Sequence, residues 1–280
     1  MTDKKVLTIQ DISCIGQCSL TVALPIISAC GVETIVLPSA VLSSHTGGFK
    51  GYTFRDLTED IPKIQKHWMS ENIKFDCIYT GYLGSIKQIE YIEDLMENVL
   101  KENALKIIDP AMADNGKLYY GFDKEFVKAM FDLCGKADII LPNITEAAFM
   151  TENEYISGLH KEKYILNLLK SLAQKGAKKI ILKGICYEED KIGMAIYDSI
   201  SEKLQYHFTQ KINKSSHGTG DCFAAAFTGA IIQGRTDIEA VRLAARFVSE
   251  SILHTYKDES HWYGVKFEKA LPILVTELNN

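Results

Sequence analysis

A chain of 280 residues, 46% apolar and 24% charged, can bury a substantial core and has the balance of an ordinary water-exposed globular protein. Its formal net charge of −5, from 31 basic and 36 acidic side chains, excludes the basic face that a nucleic-acid partner requires. No apolar run approaches the roughly 20 residues that cross a bilayer, and Met1-Thr2-Asp3-Lys4-Lys5 leads straight into an apolar strand without a signal-peptide pattern, so no membrane partner and a cytoplasmic location are expected.

Short β-rich apolar runs alternate with amphipathic stretches along the whole chain, and no linker interrupts them. The expectation is α/β: one domain over 1–280, a largely parallel central sheet, and helices on both faces. In chain order, 6–10 reads as a strand, 20–30 as a helix closed by Gly31 and disturbed by Pro25, and 34–41 as the second strand. A strand over 75–80, a helix over 87–103 and a strand over 106–109 follow. Next come a helix over 123–134, a strand over 138–141, a helix over 161–174 ending at Gly176, and a strand over 178–183. The runs 192–198 and 203–212, joined by Ser199-Ile200-Ser201-Glu202, read as a β-hairpin, a flap able to cover a nucleotide. Helices are expected over 220–233, 237–254 and 266–278.

In doubly wound sheets ligands bind beyond the carboxyl ends of the strands. Polar residues gather at six such ends: Asp11; His45 and Thr46; Gly81-Tyr82; Asp109-Pro110; Asn143-Ile144-Thr145-Glu146; and Lys183-Gly184. The stretch His217-Gly218-Thr219-Gly220-Asp221 adds a small-residue turn, a helix start and an acid within five positions. Glycines let the backbone approach a ligand, and the helix start aims free N–H groups at an anion, as a phosphoryl group requires. Asp221 in the first turn is placed to take a proton from an attacking alcohol. The same pattern also describes an ordinary helix start with an acid that the dipole favours.

Asp109, Asp114, Asn143 and Glu146 offer the hard oxygens that Mg²⁺ carrying nucleotide phosphates prefers. Asn143 and Glu146 equally suit a helix cap with a first-turn acid, and Asp114-Asn115-Gly116 alone is a turn signal. Lys183 reads as a phosphate contact or a buried strand-end lysine, and Tyr82 as a wall of a ring site or a core aromatic. The seven cysteines are scattered without a C-x-x-C pair, so reduced and mostly buried thiols are expected. Cys14 and Cys18 are spaced to meet across a turn, but two ligands do not make a zinc site, and no structural zinc is expected.

Four ordered motifs make the chain resemble the ribokinase-like superfamily and, within it, the pyridoxal kinase branch. They are Gly218-Thr219-Gly220-Asp221, Thr80-Gly81-Tyr82-Leu83-Gly84-Ser85, Asp109-Pro110-Ala111-Met112-Ala113-Asp114 and Asn143-Ile144-Thr145-Glu146. Ser43-Ser44-His45-Thr46-Gly47 is similar to the segment from which that branch contacts its pyridine substrate. The resemblance covers the whole chain. It implies ATP-dependent phosphorylation of the 5′-hydroxymethyl group of a vitamin B6 vitamer, with Mg²⁺ and a homodimer. It implies Asp221 as base with Gly218, Thr219 and Gly220 as anion hole, and vitamer contacts from Asp11, His45, Thr46, Tyr82 and Asp221. It implies nucleotide contacts from Asp109, Asn143, Glu146, Lys183, Gly184, Thr219 and Gly220, with Asp109, Asn143 and Glu146 toward the metal. Asp11 departs from the branch, which usually carries Ser-His after the first strand; an acid there would favour the cationic pyridoxamine. Hydroxymethylpyrimidine kinases of thiamine synthesis are the alternative, although their Gly-Gly-Ala-Gly loop is missing after Asp11 and Asp221 stands where they carry Cys. A vitamer- or nucleotide-binding protein without catalysis is a second alternative. A nicotinamide-dependent dehydrogenase is excluded because no G-x-G-x-x-G turn follows the first strand.

Overall fold

The structure, a computed structural model, describes residues 4–214 and 216–279; Met1, Thr2 and Asp3, at the head of the segment read as free of a signal peptide, lie outside the described residues. In chain order the elements are β1 (Lys5–Ser13), α1 (Leu20–Ala29), β2 (Glu33–Leu42), β3 (Phe54–Asp56), α2 (Ile61–Ser70), β4 (Phe75–Thr80), α3 (Ile86–Asn98) and β5 (Leu100–Ile108). Then follow β6 (Ala113–Asp114), β7 (Lys117–Leu118), α4 (Lys124–Cys134), β8 (Ile139–Ile140), α5 (Ile144–Met150), α6 (Glu162–Gln174) and β9 (Lys179–Ile185). β10 (Lys191–Asp198), β11 (Lys203–Gln210), α7 (Thr219–Ile232), α8 (Asp237–Thr255) and α9 (Leu271–Leu278) complete the chain. The fold is α/β with a mostly parallel central sheet. No helix among the described residues is long and apolar enough to cross a membrane.

The residues form two compact units, Met1–Gly84 with Asp94–Leu105 and Ile212–Asn280, and Ser85–Glu93 with Lys106–Lys211. In the first unit β1 runs parallel to both β2 and β4, and β3 closes the edge antiparallel to β2. Val6 to Asp11 of β1 are all buried, polar Thr8, Gln10 and Asp11 included, as in a parallel strand covered on both faces. In the second unit the end of β5 pairs parallel with β8, and β8 with β9. The expected hairpin is present: β10 pairs antiparallel with β9 and, over its full length, with β11.

Three expectations are corrected. The helix over 87–103 stops at Asn98, and β5 begins at Leu100 instead of 106. Lys101-Glu102-Asn103 prolongs the helix's charged pattern, but Lys101 pairs with Asp76 at 2.9 Å and Asn103 takes a left-handed φ of 61°, which a helix does not tolerate. The helix over 266–278 divides into a 3₁₀ turn, Phe267–Lys269, and α9, because Pro272 has no N–H to continue a helix but suits its first turn. The first strand runs to Ser13, so Asp11 lies inside β1 and not beyond it. The edge strand β3, α2 and the two-residue β6–β7 hairpin carry no signal strong enough to be read in advance.

Candidate active site

The first unit holds every residue expected to meet the acceptor substrate. α7 is anchored by an apolar body, ten of whose residues are buried, so its N-terminus is rigidly held. Gly218, its N-cap, has φ 75°, and a Cβ there would stand 1.5 Å from the Gln17 carbonyl oxygen, so only glycine permits this approach. The first helical amides have no partner within the helix, an arrangement suited to receiving an anion. Asp221 is the third helical residue, and its Oδ2 accepts the backbone N–H of Ser19 at 3.0 Å.

Asp11 is buried opposite an irregularity where β2 carries one extra residue. Burial raises its pKa, opposed by hydrogen bonds from the Ser19 and Ser13 side chains, the Ser13 hydroxyl donating to Asp11 Oδ2 at 2.8 Å. Tyr82 is half-buried, and its phenol is pushed up to about 12, first by burial and then by the charge of Asp11 and by Tyr52 and Asp56, which places it within Asp11's field. Tyr82 is therefore not a fully enclosed core aromatic.

His45 is buried and locked. Its Nδ1 accepts the Gly47 N–H at 3.0 Å and its Nε2 donates to the Tyr263 carbonyl at 2.9 Å. Burial lowers its pKa, which fits this neutral tautomer. A Cβ on Gly16 would lie 2.1 Å from the ring. The neighbouring Thr46 is exposed.

Sequence reasoning missed the aromatic surroundings of His45. Phe49 meets it edge-on at 5.1 Å, Trp262 lies 4.6 Å from Phe49, and His217 lies 4.9 Å from His45. The pair Trp262-Tyr263 in an otherwise polar loop was the available signal. Gln10 was also missed: it is buried in β1, its Oε1 has no hydrogen-bond partner, and a Cβ on Gly81 would reach within 2.5 Å of that oxygen. A glutamine within an apolar strand was the clue.

The second unit holds the residues expected on the nucleotide side, apart from Thr219 and Gly220. Lys183 lies within β9, largely buried, and its ammonium pairs with Asp109 Oδ2 at 2.8 Å. Burial raises the Asp109 pKa and the lysine opposes it. Glu146 is raised well above the ordinary value by burial and then by the charge of Asp109. Gly184 follows with φ 85°. Asn143 and Glu146 form a capping box: Asn143 Oδ1 accepts the Glu146 N–H at 2.9 Å, and Glu146 Oε2 accepts the Asn143 N–H at 2.7 Å. Asn143 Nδ2 also donates to the Ala113 carbonyl at 2.8 Å, so its side chain is committed to the backbone. The helix-cap reading of these two residues is thus realised. Asp114 is exposed and bonds Asn115, as a turn requires.

Among the described residues no group of three or more His, Cys, Asp or Glu side chains is placed to hold a metal ion. Asp109, paired with Lys183, and Glu146 are buried carboxyls whose hard oxygens suit a hydrated Mg²⁺ that arrives on phosphates and keeps most of its waters. They do not form a cage for a bare ion.

Comparison with known proteins supplies the context. The family model described as phosphomethylpyrimidine kinase matches residues 24–265. A Bacteroides thetaiotaomicron protein, provisionally assigned as a phosphomethylpyrimidine kinase and crystallised with pyridoxal, is 34% identical and superposes with a TM-score of 0.92 over 98% of this chain and 96% of its own. The pyridoxal kinase of Lactobacillus plantarum is 29% identical with a TM-score of 0.89, over 98% and 97% of the two chains. The pyridoxal kinase of Actinobacillus pleuropneumoniae is 28% identical over 236 residues, 79% of this chain and 78% of that one.

Proposed function

We propose, from the premise that the chain belongs to the phosphomethylpyrimidine kinase family and is a kinase, that it transfers the γ-phosphoryl group of ATP to the 5′-hydroxymethyl oxygen of a vitamin B6 vitamer. The observation that carries this reading is Asp221, held by the Ser19 amide in the first turn of α7 behind a glycine that steric contact makes irreplaceable.

In this reading Asp221 takes the proton of the attacking alcohol, while the amides from Gly218 to Gly220 receive charge on the phosphoryl oxygens. His45, Thr46, Tyr82 and Asp11 surround the pyridine ring. Lys183 and Gly184 flank the nucleotide, with Lys183 acting through its pairing to Asp109. Mg²⁺, when bound, neutralises nucleotide phosphate charge; Asp109 and Glu146 would hold it through water, and Asn143 supports Glu146 as its cap. The seven free thiols suit a reducing cytoplasm, and the family resemblance implies a homodimer.

Hydroxymethylpyrimidine phosphorylation is the second reading, favoured by the description of the matching family model. Asp221 and the pyridoxal-bearing relative favour the pyridine. A coupled ADP-release assay over pyridoxal, pyridoxamine, pyridoxine and hydroxymethylpyrimidine decides between them. The expected result is at least one pyridine alcohol turned over with a higher kcat/KM than the pyrimidine. A preference for hydroxymethylpyrimidine reverses the assignment, and no ADP release with any of the four defeats both.

A further inference from the structure

The side chain of His217 is placed by the fold but not used by it. It is exposed, stands one residue before the glycine that begins α7, and makes no hydrogen bond to any described residue. Yet its ring is held: it lies 4.9 Å from His45 at an interplanar angle of 47°, and over Gly47, where a Cβ would come within 2.7 Å of its Cε1. An exposed imidazole ordinarily extends into solvent. This one is turned toward the 45–49 loop, and glycine at position 47 leaves the room it needs.

The two histidines are not equivalent. His45 spends both ring nitrogens on backbone groups, so it has no donor to offer a ligand. His217 has its nitrogens available, and it adjoins the helix start whose amides are suited to receiving an anion. A donor at that position adds to the amides where an anion gathers charge.

We propose that His217 is a catalytic residue, donating a ring N–H to an oxygen of the phosphoryl group during its transfer. The inference rests on the kinase reading. In the step concerned the alcohol oxygen forms its bond to phosphorus while the bond from phosphorus to the bridging oxygen of ADP breaks, that electron pair leaving with ADP. The alcohol proton passes to Asp221. His217 keeps its proton and shares it only as a hydrogen bond, which strengthens as negative charge builds on the phosphoryl oxygens. Gly47 and His45 position the ring.

Two variants separate the hydrogen bond from the packing. His217→Phe keeps an aromatic ring against His45 and Gly47 but has no donor, whereas His217→Gln keeps a neutral donor and loses the ring. Steady-state phosphorylation of pyridoxal by ATP, with thermal unfolding measured alongside, is the readout. Losing one donor of this kind typically lowers kcat by about 10²-fold. The Phe variant should show such a loss with its KM for pyridoxal nearly unchanged, and the Gln variant should recover a substantial part of it. A Phe variant with kcat within about twofold of the parent overturns the proposal, because the effect of a lost donor is far larger. A Gln variant as impaired as Phe also overturns it, and so does a change confined to KM, which marks ground-state binding only. If the parent protein releases no ADP with pyridoxal, pyridoxamine, pyridoxine or hydroxymethylpyrimidine, the kinase reading falls and this proposal with it. An active parent with an unimpaired Phe variant removes His217 alone.

Discussion

The backbone N–H of Ser19 donates to Oδ2 of Asp221 at 3.0 Å, tying the start of α1 to the first turn of α7. Ser19 is the N-cap of α1 and adopts a left-handed φ of 55°, an unusual conformation for serine that aims its amide at the carboxylate. Two helix N-termini thus meet at one acid. The tie crosses 202 residues of sequence, and no local pattern announces it.

The approach of Gly218 to Gln17 makes the arrangement sensitive to a single carbon atom. Gly218→Ala would place a methyl group 1.5 Å from a carbonyl oxygen and force a non-glycine residue to φ 75°, the latter alone costing about 1–2 kcal/mol. The expected outcome is a protein that still folds with a lowered melting temperature and has lost most of its turnover. Calorimetry and the ADP-release assay check the two parts, and wild-type turnover would show that the loop relaxes without consequence.

Lys183 tests the second unit. Its pairing with buried Asp109 means that Lys183→Met strands a carboxylate without a partner. Breaking a buried pair from one side typically costs about 3–5 kcal/mol. Urea unfolding should reveal a loss of that order, and the double variant Lys183→Met with Asp109→Leu should recover part of it. A single variant as stable as the parent would mean that the pair is solvated in solution.

Much of this was legible in the sequence. The alternation of apolar runs gave the α/β class and the hairpin because both periodicities are local, and the glycine-rich turn announced the start of α7. The register was not legible. Asp11 sits inside β1 because β2 carries an extra residue opposite it, which depends on a neighbouring strand. The roles of Asn143 and Glu146 were also ambiguous, since the residues that suit a hydrated metal ion are those that cap a helix, and only geometry shows the cap. His217 stands in the glycine-rich stretch, but its packing on His45 joins segments that sequence alone cannot bring together.

Asp11 offers a test of substrate preference. Its carboxyl is buried, bonded to Ser13 and close enough to Tyr82 to disturb its phenol. Where it remains charged it should attract the aminomethyl group of pyridoxamine more than a neutral aldehyde, and partial burial makes a preference of about tenfold physically reasonable. Asp11→Ser should therefore lower the ratio of kcat/KM for pyridoxamine over pyridoxal. An unchanged ratio would assign Asp11 to holding the loop through Ser13, with no part in selecting the amine.

The account depends most on Asp221 as the group that receives the proton of the alcohol. Asp221→Asn preserves the shape of the side chain and its oxygen toward the Ser19 amide, but it cannot accept the proton. The decisive measurement is the rate of phosphoryl transfer from ATP to pyridoxal by this variant, with nucleotide and vitamer affinities determined in parallel. The account predicts that both ligands bind within a few-fold of the parent while turnover falls by about 10² to 10⁴, the usual contribution of a general base. Retention of more than about a third of the parent's turnover would contradict it, since a general base contributes far more than that.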